Sequence, residues 1–464
     1  MAVTVDDAPS VDRSGLAALI ALRDSLNSSI DRLIESADAV PSLDSFDDVL
    51  ARPSATAIEA AATAKGLVAL LQGWTGVIDA SFAFHLTSSL RVAVDAHVVE
   101  ALVEGKKNGK AALHVDEIAK ASTIDPAKLA RILRLLTAHH IFREVEPNVF
   151  ANNRRSIILD TGKSIAELKS NNDWFSGTNG IAACTTLLTN EGLRASGYVA
   201  DTLFAPSTSH SYSPAETPFA MAKDAKVSAF DMWYRENGAA DRERFGAAMA
   251  GMAALLGKGD KGYPFELLPV GATVVDVGSG VGAISLGLSK SAPQVTFVLE
   301  DLPGVIDGPT TEFWQKQAPK ELINGRVKLV SQDFFSPQTV KSADVYLLSQ
   351  IVHDWPDSHA SQILSHLSEA AGPTSRLIII ESPYDYLITP SVASDRNLFN
   401  PYFVDLQMLV LLNGQERTEE QYKLLAEKAG WKFVKVWKTG VEGRDGSYRH
   451  YEFEPVAVAN GGMA

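Results

Sequence analysis

Apolar residues over the first 250 positions recur mainly at every third and fourth place. The stretch SGLAALIALRDSLNSSIDRLIESADAV carries the stripe of an amphipathic helix. Breaks containing Pro and Ser follow at VPSLDSFDD and ARPSATA. Further on, ALHVDEIAKASTIDPAKLARILRLLTAHHIFREVEPNVFANN predicts two short helices, the second beginning near Asp125-Pro126. Two short strands turned at Pro147-Asn148 come next, completing the outline of a winged helix. From about residue 270 the pattern changes. ATVVDVG, QVTFVLE, VKLVSQD, DVYLLSQ and RLIIIES are short apolar runs, β-branched in part, with helical spacers between them. They predict a doubly wound α/β sheet whose strands are mostly buried on both faces. The chain thus divides into a helical leader (residues 1–75), a helical, winged-helix-like domain (76–255), an α/β domain (256–456) and a frayed tail (457–464).

Composition narrows the functions open to this fold. The 464 residues carry a net charge of -14, which argues against a nucleic-acid partner because phosphate binding needs clustered Lys and Arg. In the winged segment itself, Glu144 and Glu146 offset Lys128, Arg131 and Arg134, so it reads as a packing or dimerisation module. A single cysteine, Cys184, excludes an intramolecular disulfide and a thiolate metal cluster. The acidic start has no apolar signal region, and no run approaches the length of a membrane span. A soluble, cytoplasmic protein without a membrane partner is expected.

The segment VVDVGSGVGAISLGLSK sets Gly278, Gly280 and Gly282 directly between a strand and a helix, where glycines permit a tight turn and close approach to a ligand. Dinucleotide-binding domains use similar glycines, so an NAD-dependent oxidoreductase is one alternative. Acidic residues at successive strands favour S-adenosylmethionine (SAM). Asp276 precedes the first glycine, where its carboxylate would attract the cationic methionine end. Asp301 closes the second strand, where an acid accepts ribose hydroxyls, and Asp333 closes the third, facing the adenine amino group with Phe334 beside the ring. Taken singly, each aspartate reads equally well as a helix cap or turn residue. Together they lie on the side where open α/β sheets bind ligands.

The fourth strand runs into IVHDWPD, which puts His353 just past its C-terminal end and beside that crevice. A histidine of ordinary pKa, about 6.5, is suited to take the proton of a phenol with a pKa of about 10 as the oxygen attacks a methyl sulfonium. Glu381, ending the next strand, and Glu416, in NGQERTEEQYKLL, are available to orient the ring and to support its charge. Asp354 either faces the substrate or serves the turn. His359 and His366 lie seven apart with no third ligand, so metal-free catalysis is expected.

Residues 90 to 455 resemble the plant- and fungal-type SAM-dependent O-methyltransferases, the caffeic-acid O-methyltransferase-like family. The resemblance rests on the winged-helix outline, DVGSGVG, EDLPGVI, SQDFF, IVHDWPD, IIIESPY and DLQMLVLLNGQERTEEQYKLLAEKAGW. It implies a helical N-terminal domain that makes a homodimer and a Rossmann-like catalytic domain that binds SAM and releases S-adenosylhomocysteine. It also implies that His353 is the general base flanked by Glu381 and Glu416, and that Asp301, followed by Leu302, and Asp333 hold ribose and adenine. Family members wedge the aromatic acceptor with a Met, for which Phe245, Met249 and Met408 are the candidates. Where many members carry Lys or Arg near the cofactor, this chain has Ser349. The segment YVADTLFAPSTSHSYSPAETPFAMA looks more like fungal members than plant ones. The expected reaction is methylation of a phenolic hydroxyl on a small aromatic metabolite. Two alternatives are a silent SAM- or metabolite-binding relative and an N- or C-methyltransferase on the same scaffold.

Overall fold

The computed structural model describes residues 13–36, 40, 42–46, 49, 53–170, 173–234, 238–256, 262–384, 401–441 and 444–456, so the tail expected at 457–464 lies outside the described residues. The N-terminal stripe forms α1 (Arg13–Glu35), which packs against α2 (Ala55–Gln72). Ser54 caps α2 by accepting the Ala57 N–H, and α3 (Thr75–Asp95) follows after a sharp bend. Together α2 and α3 leave Leu71, Trp74, Val77, Phe82 and Phe84 exposed. No single described helix is long and apolar enough to cross a membrane.

A helix and a hairpin form where the pattern placed them. Asp125 accepts the Lys128 N–H at 3.0 Å and so starts α4 (Pro126–Ala138), whose Leu129, Ala130, Leu133 and Leu136 are buried at helical spacing. Strands β2 (Arg143–Glu146) and β3 (Val149–Ala151) pair antiparallel, with β1 (Leu113–His114) on the far edge of β3. Asn148 turns the hairpin in the left-handed region, φ 66°. Arg134 on α4 is held by Glu144 at 3.0–3.1 Å and by Asn148 Oδ1 at 2.6 Å, so its donors serve the hairpin.

All five apolar runs are strands. They are β4 (Thr273–Val277), β5 (Thr296–Asp301), β6 (Val327–Ser331), β7 (Val345–Ser349) and β8 (Arg376–Glu381), and they form parallel pairs. The sheet then continues into two strands that the sequence pattern did not reveal, β9 (Trp431–Val441) and β10 (Arg444–Pro455), both antiparallel. The order is β6-β5-β4-β7-β8-β10-β9, so the doubly wound expectation becomes a mixed seven-stranded sheet. Val274, Val275, Phe297, Leu299, Leu347, Leu348 and Ile378–Ile380 are buried in it. The chain runs outward from β4 through β5 to β6 and then restarts on the other side at β7. That reversal opens a crevice at the C-terminal ends of β4 and β7, the expected ligand position in an open α/β sheet.

Candidate active site

The loop after β4 turns on three glycines with positive φ: Gly278 at 72°, Gly280 at 55° and Gly282 at 76°. Two backbone donors, Gly278 N–H and Ser279 N–H, reach the Glu300 carbonyl, and the Gly280 N–H reaches Asp301 Oδ2 at 2.8 Å. A β-carbon at Gly282 would overlap Leu299 and the buried Trp314 indole, which itself donates to the Val281 carbonyl at 3.1 Å. At Gly278 it would press on Ile351 and Phe334. At Gly280 it would meet nothing within 4 Å, so the loop leaves open space there. This is a cradle into which a ligand backbone fits closely.

Asp301 accepts from both Gly280 and Leu302, each at 2.8 Å, and burial pushes its carboxyl up to about 6 against those two hydrogen bonds. Each oxygen retains capacity for a ligand hydroxyl. Asp276 lies on β4, one residue before its end. It is 3% exposed and accepts Ser285 Oγ at 2.5 Å from α5 (Ala283–Ser291), with burial raising it to about 6. Asp333 is exposed and accepts the Phe335 N–H at 2.9 Å, the turn role it shares with many aspartates. Its neighbour Phe334 borders Gly278 and meets Trp355 edge-on at 5.9 Å. Ser349, at the end of β7, has a buried Oγ with no hydrogen-bond partner among the described residues. The open cradle, the Asp301 carboxylate and this orphaned hydroxyl fit an adenosyl ligand rich in hydroxyls.

Just beyond β7, Val352–Asp354 forms a tight 3-10 turn. Arg417, 1% exposed, donates to the Val352 carbonyl at 2.7 Å, the Trp355 carbonyl at 2.8 Å and Asp357 Oδ1 at 2.7 Å. The Gln415 N–H donates to the His353 carbonyl at 2.9 Å. A β-carbon at Gly414 would overlap that same carbonyl oxygen, so the close approach needs glycine. These contacts hold His353, itself 7% exposed, in one orientation. Its Nδ1 lies 2.6 Å from Glu416 Oε1 and 4.0 Å from Glu381 Oε2, while Nε2 lies 3.6 Å from Asp354 Oδ1. A carboxylate on Nδ1 makes that nitrogen the donor and leaves Nε2 as the basic atom of a neutral ring.

The expectation of an ordinary imidazole pKa does not hold. Burial alone would push His353 down, but the negative charges of Glu381, Glu416 and Asp354, with the hydrogen bond to Glu416, raise it to about 10. The cause lies in positions that are far apart along the chain and adjacent in the fold. Glu381 is itself fully buried, which pushes it up, and it accepts Gln350 Nε2 at 2.7 Å and the His353 N–H at 3.3 Å.

Of the three acceptor-side candidates, Phe245 stacks on Trp233 at 4.6 Å and meets Phe230 edge-on at 5.9 Å, and Phe230 packs at 5.7 Å against Trp355 beside the histidine turn. Met408, on α7 (Pro401–Leu412), packs against the same helical core. Met249 is exposed on α6 (Ala239–Leu256), whose α6 neighbour Gly246 lies against Val281 of the glycine loop. Gln350, Gly414 and Arg417 escaped the sequence reading as site residues. The signal for Gln350 was a polar residue directly after a fully apolar strand. His359 stacks near Trp355 and His366 Nε2 lies 3.1 Å from the Phe335 carbonyl, and among the described residues no group of three or more His, Cys, Asp or Glu is placed to hold a metal.

Comparison with known proteins assigns residues 218–432 to the O-methyltransferase domain model and residues 78–160 to the O-methyltransferase dimerisation domain model. A 3-O-methyltransferase of Phanerochaete chrysosporium is 30% identical over 456 residues, covering 91% of this chain and 96% of that protein. An O-methyltransferase of Armillaria gallica is 35% identical over 370 residues, covering 75% of this chain and 77% of that protein. Among solved structures, OxaC in complex with S-adenosylhomocysteine and oxaline superposes with a TM-score of 0.70 at 20% identity, covering 95% of this chain and all of that one. The mitomycin 7-O-methyltransferase MmcR gives 0.63 at 25% identity, covering 85% and 98%.

The two inner glycines separate folding from binding. Gly280→Ala meets only the left-handed backbone penalty, about 1–2 kcal/mol. Gly282→Ala adds overlap with Leu299 and Trp314, roughly another 1–3 kcal/mol. Denaturant unfolding of both variants is expected to show Gly282→Ala clearly the less stable, and equal midpoints would contradict the loop geometry.

Proposed function

The chain belongs to the plant- and fungal-type SAM-dependent O-methyltransferases, and from that premise we propose that it methylates a phenolic hydroxyl of a small aromatic metabolite with His353 as general base. The observation that carries the reading is the buried ring with Glu416 at 2.6 Å on Nδ1, which directs basicity to Nε2. Bound SAM supplies a methyl group activated by its sulfonium charge. The residues of the chain orient the acceptor, remove its proton and exclude water.

Acceptor chemistry follows from the proton balance. Glu381, Glu416 and Asp354 hold the imidazole above its ordinary value and so closer to a phenol, whose pKa is about 10, which lowers the cost of moving the proton between them. An aliphatic hydroxyl is far less acidic and is matched poorly, while an amine acceptor needs no base of this strength. A nearby sulfonium charge opposes the imidazolium and favours the neutral, proton-accepting ring. Glu416 holds Nδ1–H, Glu381 adds a second negative charge, and Asp354 stands beside Nε2 at the acceptor end.

On the cofactor side, Asp301 beside Leu302 would accept the ribose hydroxyls and Ser349 Oγ would supply a further hydrogen bond. Gly280 would admit the methionine portion, Gly278 and Phe334 would border the adenine, and Asp333 would reach its rim. Phe245 and Met408, with Met249 at the edge, are assigned to the acceptor side from the helical region. The matched dimerisation domain and the exposed Leu71, Trp74, Val77, Phe82 and Phe84 support a homodimer, because large apolar side chains exposed in number are normally covered.

Transfer of labelled methyl from SAM into a pooled panel of catechols, simple phenols and hydroxylated polyketides tests the reaction. Wild type is expected to label product, and His353→Ala, with fold and SAM binding retained, to lose about 10²–10⁴-fold in turnover. Near-wild-type turnover in the folded variant would remove His353 from its role. Asp301→Ala is expected to weaken SAM binding at least tenfold by calorimetry, and an unchanged affinity would refute the ribose assignment.

A further inference from the structure

Glu381 sits at the end of β8, between β7 on one side and β10 on the other. From just beyond β7, Gln350 Nε2 donates to Glu381 Oε2 at 2.7 Å. From β10, Tyr448 Oη donates to Gln350 Oε1 at 3.0 Å. The two bonds fix the amide in one orientation, because the hydroxyl must find an oxygen and the carboxylate must find an N–H. Gln350 makes this contact from a left-handed backbone, φ 56°, which its β-carbon opposes, and its own N–H is held by the Ile380 carbonyl at 3.0 Å. A strained residue beside the reacting group is retained where the surroundings over-determine it.

We propose that Gln350 and Tyr448 are positioning residues that orient Glu381 toward the histidine turn and favour its carboxylate form, so that its charge acts on the His353 imidazole. The proposal rests on the reading of His353 as general base and extends it to two residues outside the acid–histidine group. The reasoning is electrostatic. A carboxylate as enclosed as Glu381 favours the neutral acid, and a charge-assisted N–H bond is what opposes that tendency. If Glu381 takes up a proton, His353 loses one of its negative neighbours.

The other groups bearing on this balance lie on several elements. Asp354 is on the turn itself, and Glu416 is on the loop following α7, its N–H held by Asp405 Oδ1 at 2.8 Å. Tyr422, on α8 (Glu419–Lys428), faces Glu381 and Glu416, which with burial push its hydroxyl up, and Arg417 just before α8 opposes that shift. Among the described residues, the hydrogen bonds to Glu381 come from Gln350 and from the His353 backbone.

The test uses the full-length protein with ¹⁵N-histidine labelling, the His353 signal being identified by its loss in His353→Ala. Gln350→Met keeps the side-chain length without donors, and Tyr448→Phe removes only the hydroxyl. In wild type the ring is expected to titrate near 10. In Gln350→Met the midpoint is expected to fall by about one pH unit, and in Tyr448→Phe to move the same way by less. Because the neutral ring is the active form, the ascending limb of kcat/KM is expected to shift to lower pH with it. If the midpoints fall while the rate profile stays in place, the positioning role stands and the general-base reading fails. If neither midpoint moves in folded variants, the positioning role is overturned whatever the rates do. Should Gln350→Met fail to fold, Tyr448→Phe decides alone.

Discussion

Burial of the His353 imidazole against three carboxylates is the constraint around which this site is organised. Enclosure by itself favours the neutral ring, and an enclosed carboxylate likewise favours the neutral acid. Placed together, Glu381, Glu416 and Asp354 reverse this tendency for His353, whose imidazole is pushed up, while Glu381 stays raised by its burial. Removing one member of such a group typically costs roughly 3–5 kcal/mol because the charge left behind has no partner. The surrounding architecture serves that group. Parallel pairing of β7 with β8 brings the histidine turn beside Glu381, Arg417 locks the turn, and Gly414 allows the Glu416 loop to approach the turn backbone.

The same sheet order ties the base to the cofactor crevice. Because β4 and β7 are neighbours, the glycine loop and the histidine turn share one edge of the sheet. Trp355, directly after the turn, meets Phe334 and Phe335 from the crevice and Phe230 from the helical region. In the proposed reaction, an aromatic layer of this kind would keep water away from the acceptor oxygen, where a dry surrounding strengthens each electrostatic contact. The helical region therefore does more than pair subunits in the proposed function, since it closes the acceptor side.

Much of the catalytic sheet was legible because strands buried on both faces read as unbroken apolar runs. That legibility stopped at β9 and β10. There the alternation of Trp431, Phe433 and Val436 is interrupted by a bulge at Val434, visible as the shift between the Phe433–Phe453 and Lys435–Glu452 pairings. The residues at the site were legible by type and by strand position. Their states were not, because Asp276 finds Ser285 across the loop and Asp333 turns back on Phe335. The raised basicity of His353 depends on Glu416, 63 residues away, and Gln350 was readable only as an odd polar residue after an apolar strand.

The most direct measurement is the distance between His353 Nε2 and the acceptor oxygen in a crystal structure containing S-adenosylhomocysteine and a phenol that the enzyme methylates. The account predicts hydrogen-bond contact, about 2.6–3.2 Å, with Glu416 still on Nδ1. An acceptor oxygen held by other groups, with Nε2 out of reach, would contradict it.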